Sequence, residues 1–140
     1  MASEHEALDK FEIWELRSAY CRAIDREEYE RYTDIFTEDV VVEYPRDSLE
    51  GREAVYEYWR DFVDYEESYH TVQMPEIAVD GDRATGKWYM LVFYVAPNLT
   101  QGYVMGNYED EYERIDGDWK IAYLKTEVTY DTGGHHLWSE

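Results

Sequence analysis

From Leu8 to Ile24 the apolar residues Leu8, Phe11, Ile13, Trp14, Leu16, Tyr20, Cys21, Ala23 and Ile24 recur mostly three and four apart, which predicts a helix with one buried face. Asp25 ends that run. A second, short helical pattern carries Tyr29, Tyr32, Ile35 and Phe36. Thr37, Glu38 and Asp39 break it, and Val40–Tyr44, rich in β-branched residues, reads as a strand that closes beside Pro45. The Gly51 turn introduces a third helix, roughly Arg52–Asp64, with Val55, Tyr58, Trp59, Phe62 and Val63 at helical spacing. Everything after it reads as strand.

Alternation from Ser68 to Met74 places His70, Val72 and Met74 on one face and Tyr69, Thr71 and Gln73 on the other. Asp80-Gly81-Asp82 and Asp116-Gly117-Asp118 are turn signals, each followed by a long strand, and predict two hairpins. Along Arg83–Val95, Trp88, Met90, Val92 and Tyr94 face one way, while Tyr89, Leu91, Phe93 and Val95 face the other. A strand that is apolar on both faces needs cover on both. Helices supply it on one side, and a second copy of the chain is expected on the other, giving a homodimer or higher homo-oligomer. From Val104 to Arg114, the odd positions Asn107, Glu109, Glu111 and Glu113 form a solvent face, which turns Tyr108, Asp110 and Tyr112 inward. The last strand, Trp119–Tyr130, pairs back across the second turn.

The chain of 140 residues is long enough for one domain with its own core, expected over residues 1–140 with the core at about 8–130 and polar tails at both ends. Its longest mostly apolar stretch, Trp88–Ala96, falls short of the roughly 20 residues of a spanning helix. The start, Met1 to Glu6, is polar and acidic, unlike a secretory or transit segment, so a cytoplasmic location is expected. A net charge of -20 disfavours nucleic acid and anionic membranes as partners, because phosphate binding needs clustered Lys and Arg. Disorder is disfavoured too, since 17% of residues are aromatic and the periodicity is clear. Lysine occurs only at Lys10, Lys87, Lys120 and Lys125. Such acid-rich, lysine-poor surfaces resemble those of proteins from extreme halophiles. Molar salt relieves the self-repulsion of a strongly charged fold, so stability is expected to rise with salt.

Candidate chemistry gathers at Asp25, Tyr44 and His70, one carboxylate, one phenol and one imidazole on three successive elements. If those elements enclose a cavity, the three form an acid/base site. Each also has a plainer use. Asp25, with Glu28 three residues on, can cap the second helix; His70 can be a core histidine bonded to a carbonyl; Tyr44, Tyr108 and Trp88 can be packing aromatics. Asp110 is either a buried carboxylate in need of a partner or a strand end open to water. The lone Cys21 reads as a small core residue. His135-His136 has no further ligand at metal-binding spacing. No nucleophile motif, phosphate loop or metal set is visible, and neither a metal nor a cofactor is expected.

The order helix, helix, strand, helix, then a run of antiparallel strands resembles the nuclear transport factor 2-like superfamily. Ala23-Ile24-Asp25, Ile35-Phe36-Thr37-Glu38-Asp39-Val40, Tyr44, Gly51, His70-Thr71-Val72 and Ile115-Asp116-Gly117-Asp118-Trp119-Lys120-Ile121 are similar to the SnoaL-like domain family, from about Leu8 to Tyr130. The resemblance implies an α+β fold in which three N-terminal helices pack in a curved, mostly antiparallel sheet, a cone-shaped barrel. In motif pattern the scytalone dehydratase type is nearest: its helix-end aspartate matches Asp25, its strand-end tyrosine Tyr44 and its next-strand histidine His70. Where that type has a tyrosine, a second histidine and an asparagine, this chain has Ile24, Trp88 and Tyr108. The implied function is a cofactor-independent lyase or isomerase acting on a small, partly apolar carbonyl or hydroxyl compound. Asp25 would fix the tautomer of His70, His70 would remove a proton next to a carbonyl, and Tyr44, with Tyr108, would bond the developing oxyanion. The substrate pocket would be lined by Trp14, Trp59, Phe62 and Trp88, with Tyr108 and Asp110. The fold also serves as a non-catalytic ligand-binding or subunit-scaffold domain, a reading that a filled interior favours.

Overall fold

A computed structural model describes residues 3–133. Helix α1 (Glu4–Asp25) is followed by a single 3-10 turn (Tyr29–Arg31), the short helix α2 (Tyr32–Ile35), strands β1 (Phe36–Glu43) and β2 (Ser48–Glu50), and helix α3 (Arg52–Phe62). Four long strands complete the chain: β3 (Glu67–Asp80), β4 (Arg83–Val95), β5 (Gln101–Ile115) and β6 (Asp118–Asp131). The sheet runs β2-β1-β6-β5-β4-β3. It is mixed, because β1 lies parallel to β6 while the other pairs are antiparallel. The helices pack against this curved sheet in an α+β arrangement. The sheet does not close, so β2 and β3 remain edges among the described residues.

Helix α1 starts where Ser3 caps it, its hydroxyl accepting from the Glu6 N–H at 3.1 Å, with Glu4 and Glu6 in the positive first turn. It ends because Glu27 takes a left-handed conformation, φ 56°, which reverses the chain and leaves Asp25 in the last turn. The buried face matches the apolar residues only in part: Ile13, Tyr20, Cys21, Ala23 and Ile24 are on it, and so is a charged residue, Arg17. Leu8, Phe11 and Trp14 are 54%, 59% and 45% exposed. Asp9 extends the inner stripe toward the N-terminus, where its carboxylate accepts from Arg114 and from Trp119 Nε1.

The strand after α2 begins earlier than the pattern predicts. Phe36 is already a strand residue, pairing with Ile121, and a register irregularity before Val41 absorbs Thr37, Glu38 and Asp39. Gly51 adopts φ 86° directly before α3, a conformation that glycine tolerates without steric cost. Asp116 and Gly117 both take positive φ, 51° and 86°, the two-residue turn that matches the twist of a hairpin. In β3 the alternation breaks. A bulge between Gln73 and Glu76, with Met74 at φ 51°, turns Met74 out to 71% exposure, so it does not share the His70 face.

The core lies between the helices and the inner sheet face, built from Ile13, Tyr20, Trp59, Trp88, Tyr108 and Leu124 among others. Strands β4 and β5 alternate buried and exposed positions throughout, so Trp88, Met90, Val92, Tyr108, Asp110 and Tyr112 face inward. Opposite them, Tyr69, Phe93 and Tyr103 form one register row on the outer face, and Thr71, Leu91, Met105 and Tyr130 form the next. No helix among the described residues is long and apolar enough to cross a membrane.

Candidate active site

Asp25 stands at the C-terminal end of α1, against the start of β3. Its carboxylate accepts from Ser68 Oγ at 2.8 Å, from the His70 backbone N–H at 2.9 Å, and pairs with His70 Nδ1 at 2.6 Å. Strand parity puts Ser68 and His70 on the same inner face, so one carboxylate spans both. None of these bonds goes to a helix N-terminus, and the 3-10 turn that follows has no side-chain cap. The capping use of Asp25 is therefore not the one adopted.

An ionised carboxylate only accepts, so Nδ1 is the donor in the contact with Asp25, and in the neutral form of the ring Nε2 is then the basic nitrogen. The imidazole is 1% exposed, and the ring of Tyr65 meets it edge-on at 5.9 Å. A groove of about 550 Å³ runs between α1 and the edge strand β3, lined by Trp14, Ser18, Cys21, Asp25, His70 and Val72 among others. Burial pushes the Cys21 thiol up to about 12. It stays protonated and is no nucleophile.

The other candidate residues lie deeper or elsewhere. Tyr44 is in the core, its hydroxyl 2.6 Å from Tyr20 Oη and accepting from Trp59 Nε1 at 3.0 Å; burial raises it to about 12. Trp59 is fully buried and Phe62 is 59% exposed. Neither lines the His70 groove. Trp14 does line it, with its ring edge-on to Trp88 at 5.8 Å. Trp88 in turn donates to Tyr112 Oη at 3.0 Å, and Tyr112 donates to Asp110 Oδ2 at 2.6 Å. Asp110 is buried rather than a strand end in water. Its partner is Arg17, with Nε at 3.0 Å and both side chains fully buried. The guanidinium lies 3.7 Å from the Tyr108 ring centroid and 4.3 Å from that of Tyr20. Two groupings result: an Asp25–His70–Ser68 cluster at the groove, and an Arg17–Asp110 cluster with Trp88, Tyr108 and Tyr112 inside the core.

Ser68, Tyr65 and Arg17 escape a reading of the sequence, though two of them leave a trace in it. Ser68 shares the parity of His70. Arg17 sits four residues after Ile13 and three before Tyr20, a charged residue in the middle of a buried stripe. Among the described residues no three His, Cys, Asp or Glu side chains are grouped to hold a metal ion. His135-His136 lies outside the described residues.

Residues 5–125 match the SnoaL-like domain. The chain belongs to the SnoaL-like domain family. Solved structures of similar SnoaL-like or related architecture include the hexachlorocyclohexane dehydrochlorinase LinA-type3 from Novosphingobium barchaimii, 21% identical, covering 94% of each chain with a TM-score of 0.82. A candidate scytalone dehydratase from Novosphingobium aromaticivorans is 22% identical over 93% of this chain and 90% of that one, with a TM-score of 0.83. A nuclear transport factor 2-like superfamily protein from Salmonella enterica is 18% identical over 91% and 96%, at 0.82. These likenesses establish the fold that the family resemblance implies. For chemistry, this SnoaL-like chain offers a carboxylate-held imidazole beside a groove, the parts from which a general base is made.

Proposed function

We propose that the chain is a cofactor-independent lyase or isomerase in which Asp25 and His70 act as an acid/base dyad on a small, partly apolar carbonyl or hydroxyl compound. The observation that carries this reading is the 2.6 Å contact of Asp25 Oδ1 with His70 Nδ1 beside the groove. His70 Nε2 takes a proton from the carbon next to a carbonyl, and the electron pair moves onto the carbonyl oxygen. Asp25, held by Ser68 and by the His70 N–H, keeps the ring oriented and offsets the positive charge it gains. If a hydroxyl or halide sits β to the carbonyl, the electron pair returns and expels it. A hydroxyl takes the proton held on His70 and leaves as water; a halide leaves as the anion while His70 returns its proton to solvent. If none does, His70 gives the proton back at another carbon and the result is isomerisation. The relatives described as a dehydrochlorinase and a candidate dehydratase support a proton-abstraction chemistry of this kind. Tyr44 is not placed in the proton path, since it does not line the groove. Turnover of β-hydroxy and β-halo ketones tests the proposal. The His70→Ala and Asp25→Ala variants are expected to fold and to lose that turnover, and activity kept in both would refute the dyad.

A second reading, a ligand-binding or scaffold domain without turnover, draws on the packed interior, where Trp59, Trp88 and Tyr108 are all at or below 1% exposure. Under either reading we place a second copy of the chain on the outer sheet face. The rows Tyr69–Phe93–Tyr103 and Thr71–Leu91–Met105–Tyr130 contain no carboxylate, in a chain with 33 of them. Two strongly acidic molecules can approach closely only where such charge is missing.

A further inference from the structure

Two of the chain's four lysines stand in one row of the outer sheet face. Lys87 pairs in register with Glu76 of β3 and with Glu109 of β5, and Glu109 pairs in turn with Lys125 of β6. The row therefore reads Glu76, Lys87, Glu109, Lys125 from β3 to β6, alternating in sign and neutral in sum. All four residues are exposed, and all border one depression of about 230 Å³. Cross-strand attraction within the sheet is the local use of such a row. Yet among the described residues neither Lys87 nor Lys125 forms an ion pair or hydrogen bond through its ammonium, whereas Lys120 Nζ donates to the Thr33 and Asp34 carbonyls.

The same four strands carry the apolar row Thr71, Leu91, Met105 and Tyr130. Both rows are centred on the line between β4 and β5. A two-fold axis along that line, in the plane between two facing sheets, lays each apolar row on its own reversed copy: Leu91 meets Met105, and Thr71 meets Tyr130. The same operation lays Lys87 over Glu109 of the second copy and Glu76 over its Lys125, so every facing charge in the row is opposite. An axis along β4 or β5 itself would set lysine on lysine or glutamate on glutamate. Facing sheets pack about 10 Å apart with their strands nearly aligned, a gap that a lysine and a glutamate span together.

We propose that the row Glu76, Lys87, Glu109 and Lys125 registers a second copy of the chain on the outer sheet face, about a two-fold axis between β4 and β5, with Lys87 of each copy on Glu109 of the other. The inference rests on the placement of a second copy on that face and adds the residues that fix its orientation. Two strongly acidic molecules repel as wholes, so the orientation they adopt is the one in which close approach brings opposite charges together. Apolar contact then supplies the adhesion and the row supplies the register.

Light scattering coupled to size exclusion, over a dilution series in one buffer, tests the register with Lys87→Glu and Glu109→Lys. Each variant alone sets like charges face to face twice, and is expected to raise the dimer dissociation constant roughly tenfold or more. Mixed in equal amounts, the two variants are expected to recover a dimer, because the acidic pair of one meets the basic pair of the other. Net charge alone predicts the opposite for Glu109→Lys, which makes the chain less acidic and would tighten the dimer. Lys87→Glu combined with Glu109→Lys in one chain keeps both the net charge and the facing pairs. That chain is expected to dimerise nearly as the wild type does, and it serves where circular dichroism shows a single variant unfolded. Single variants that dimerise as tightly as the wild type would overturn the register, and so would a mixture and a combined chain no tighter than the single variants. A monomeric wild type overturns the second copy itself. A dimer that Phe93→Glu breaks and the row variants leave intact overturns the register alone.

Discussion

Asp25 grips His70 at two points, taking its backbone N–H at 2.9 Å and its ring Nδ1 at 2.6 Å. The double contact ties the end of α1 to the inner face of β3 and sets the ring at the same time, so fold and chemistry share one carboxylate. A bond from an ionised acceptor to both main chain and ring leaves the imidazole little freedom to turn.

Ser68 supplies the third bond to that carboxylate, and it is 4% exposed. Ser68→Ala is expected to cost about 1.5–3 kcal/mol of stability, the range for a hydrogen bond to a charged group, read from the midpoint of denaturant unfolding. It should also lower any turnover by less than His70→Ala does. A variant as stable as the wild type would show that Asp25 does not depend on Ser68.

The buried phenols make the fold sensitive to alkali. Burial raises Tyr44 from 10.0 to about 12, and it raises Tyr20, Tyr108 and Tyr112 well above their ordinary value. A folded value above the unfolded one means that the fold favours the neutral phenol. That stability is fully present below about pH 10 and is lost as pH rises through about 12, at about 1.4 kcal/mol per pH unit for each such tyrosine. Tyrosinate absorbance from these four buried rings should therefore appear only with loss of the folded circular dichroism signal. Ionisation of all 15 tyrosines in a chain that remains folded would contradict the burial of these rings.

Salt acts on the charge of -20. At molar concentration the Debye length shrinks to about 3 Å, which screens repulsion among surface carboxylates. The melting temperature is expected to climb steeply between dilute buffer and molar potassium chloride. An unchanged value would remove the case for a salt-adapted surface.

Phe93 is 50% exposed on the outer sheet face, between Tyr69 and Tyr103 in register. Light scattering coupled to size exclusion should find the wild type as a dimer or larger, and Phe93→Glu as a folded monomer. A monomeric wild type would dismiss the second copy.

The order of the main elements, though not the 3-10 turn or the three-residue β2, both Asp-Gly hairpins and the inward rows of β4 and β5 are legible in the sequence, because period-two alternation and Asp-Gly turns are strong local signals. Asp25 and His70 are legible for the same reason: one ends a helical run and the other sits at a definite strand parity. Helix α1 shows where this fails. Its inner stripe, Asp9, Ile13, Arg17, Tyr20 and Ile24, includes two charged residues, and each has a tertiary partner, Trp119 or Asp110, that a local pattern cannot reveal. The apolar residues therefore point to a face that is partly exposed at Leu8, Phe11 and Trp14. Met74 fails through a bulge, and Phe36 through strand pairing with β6 that overrides a short helical pattern.

The account rests on His70 acting as a base held by Asp25, and exchange of a carbon-bound proton tests this before the natural substrate is known. Aryl ketones with protons next to the carbonyl are incubated in deuterated water and followed by proton NMR. The account predicts that the wild type speeds their loss well above the uncatalysed rate, that His70→Ala abolishes the effect, and that Asp25→Ala weakens it strongly. Exchange that proceeds equally in the wild type and in His70→Ala would contradict it.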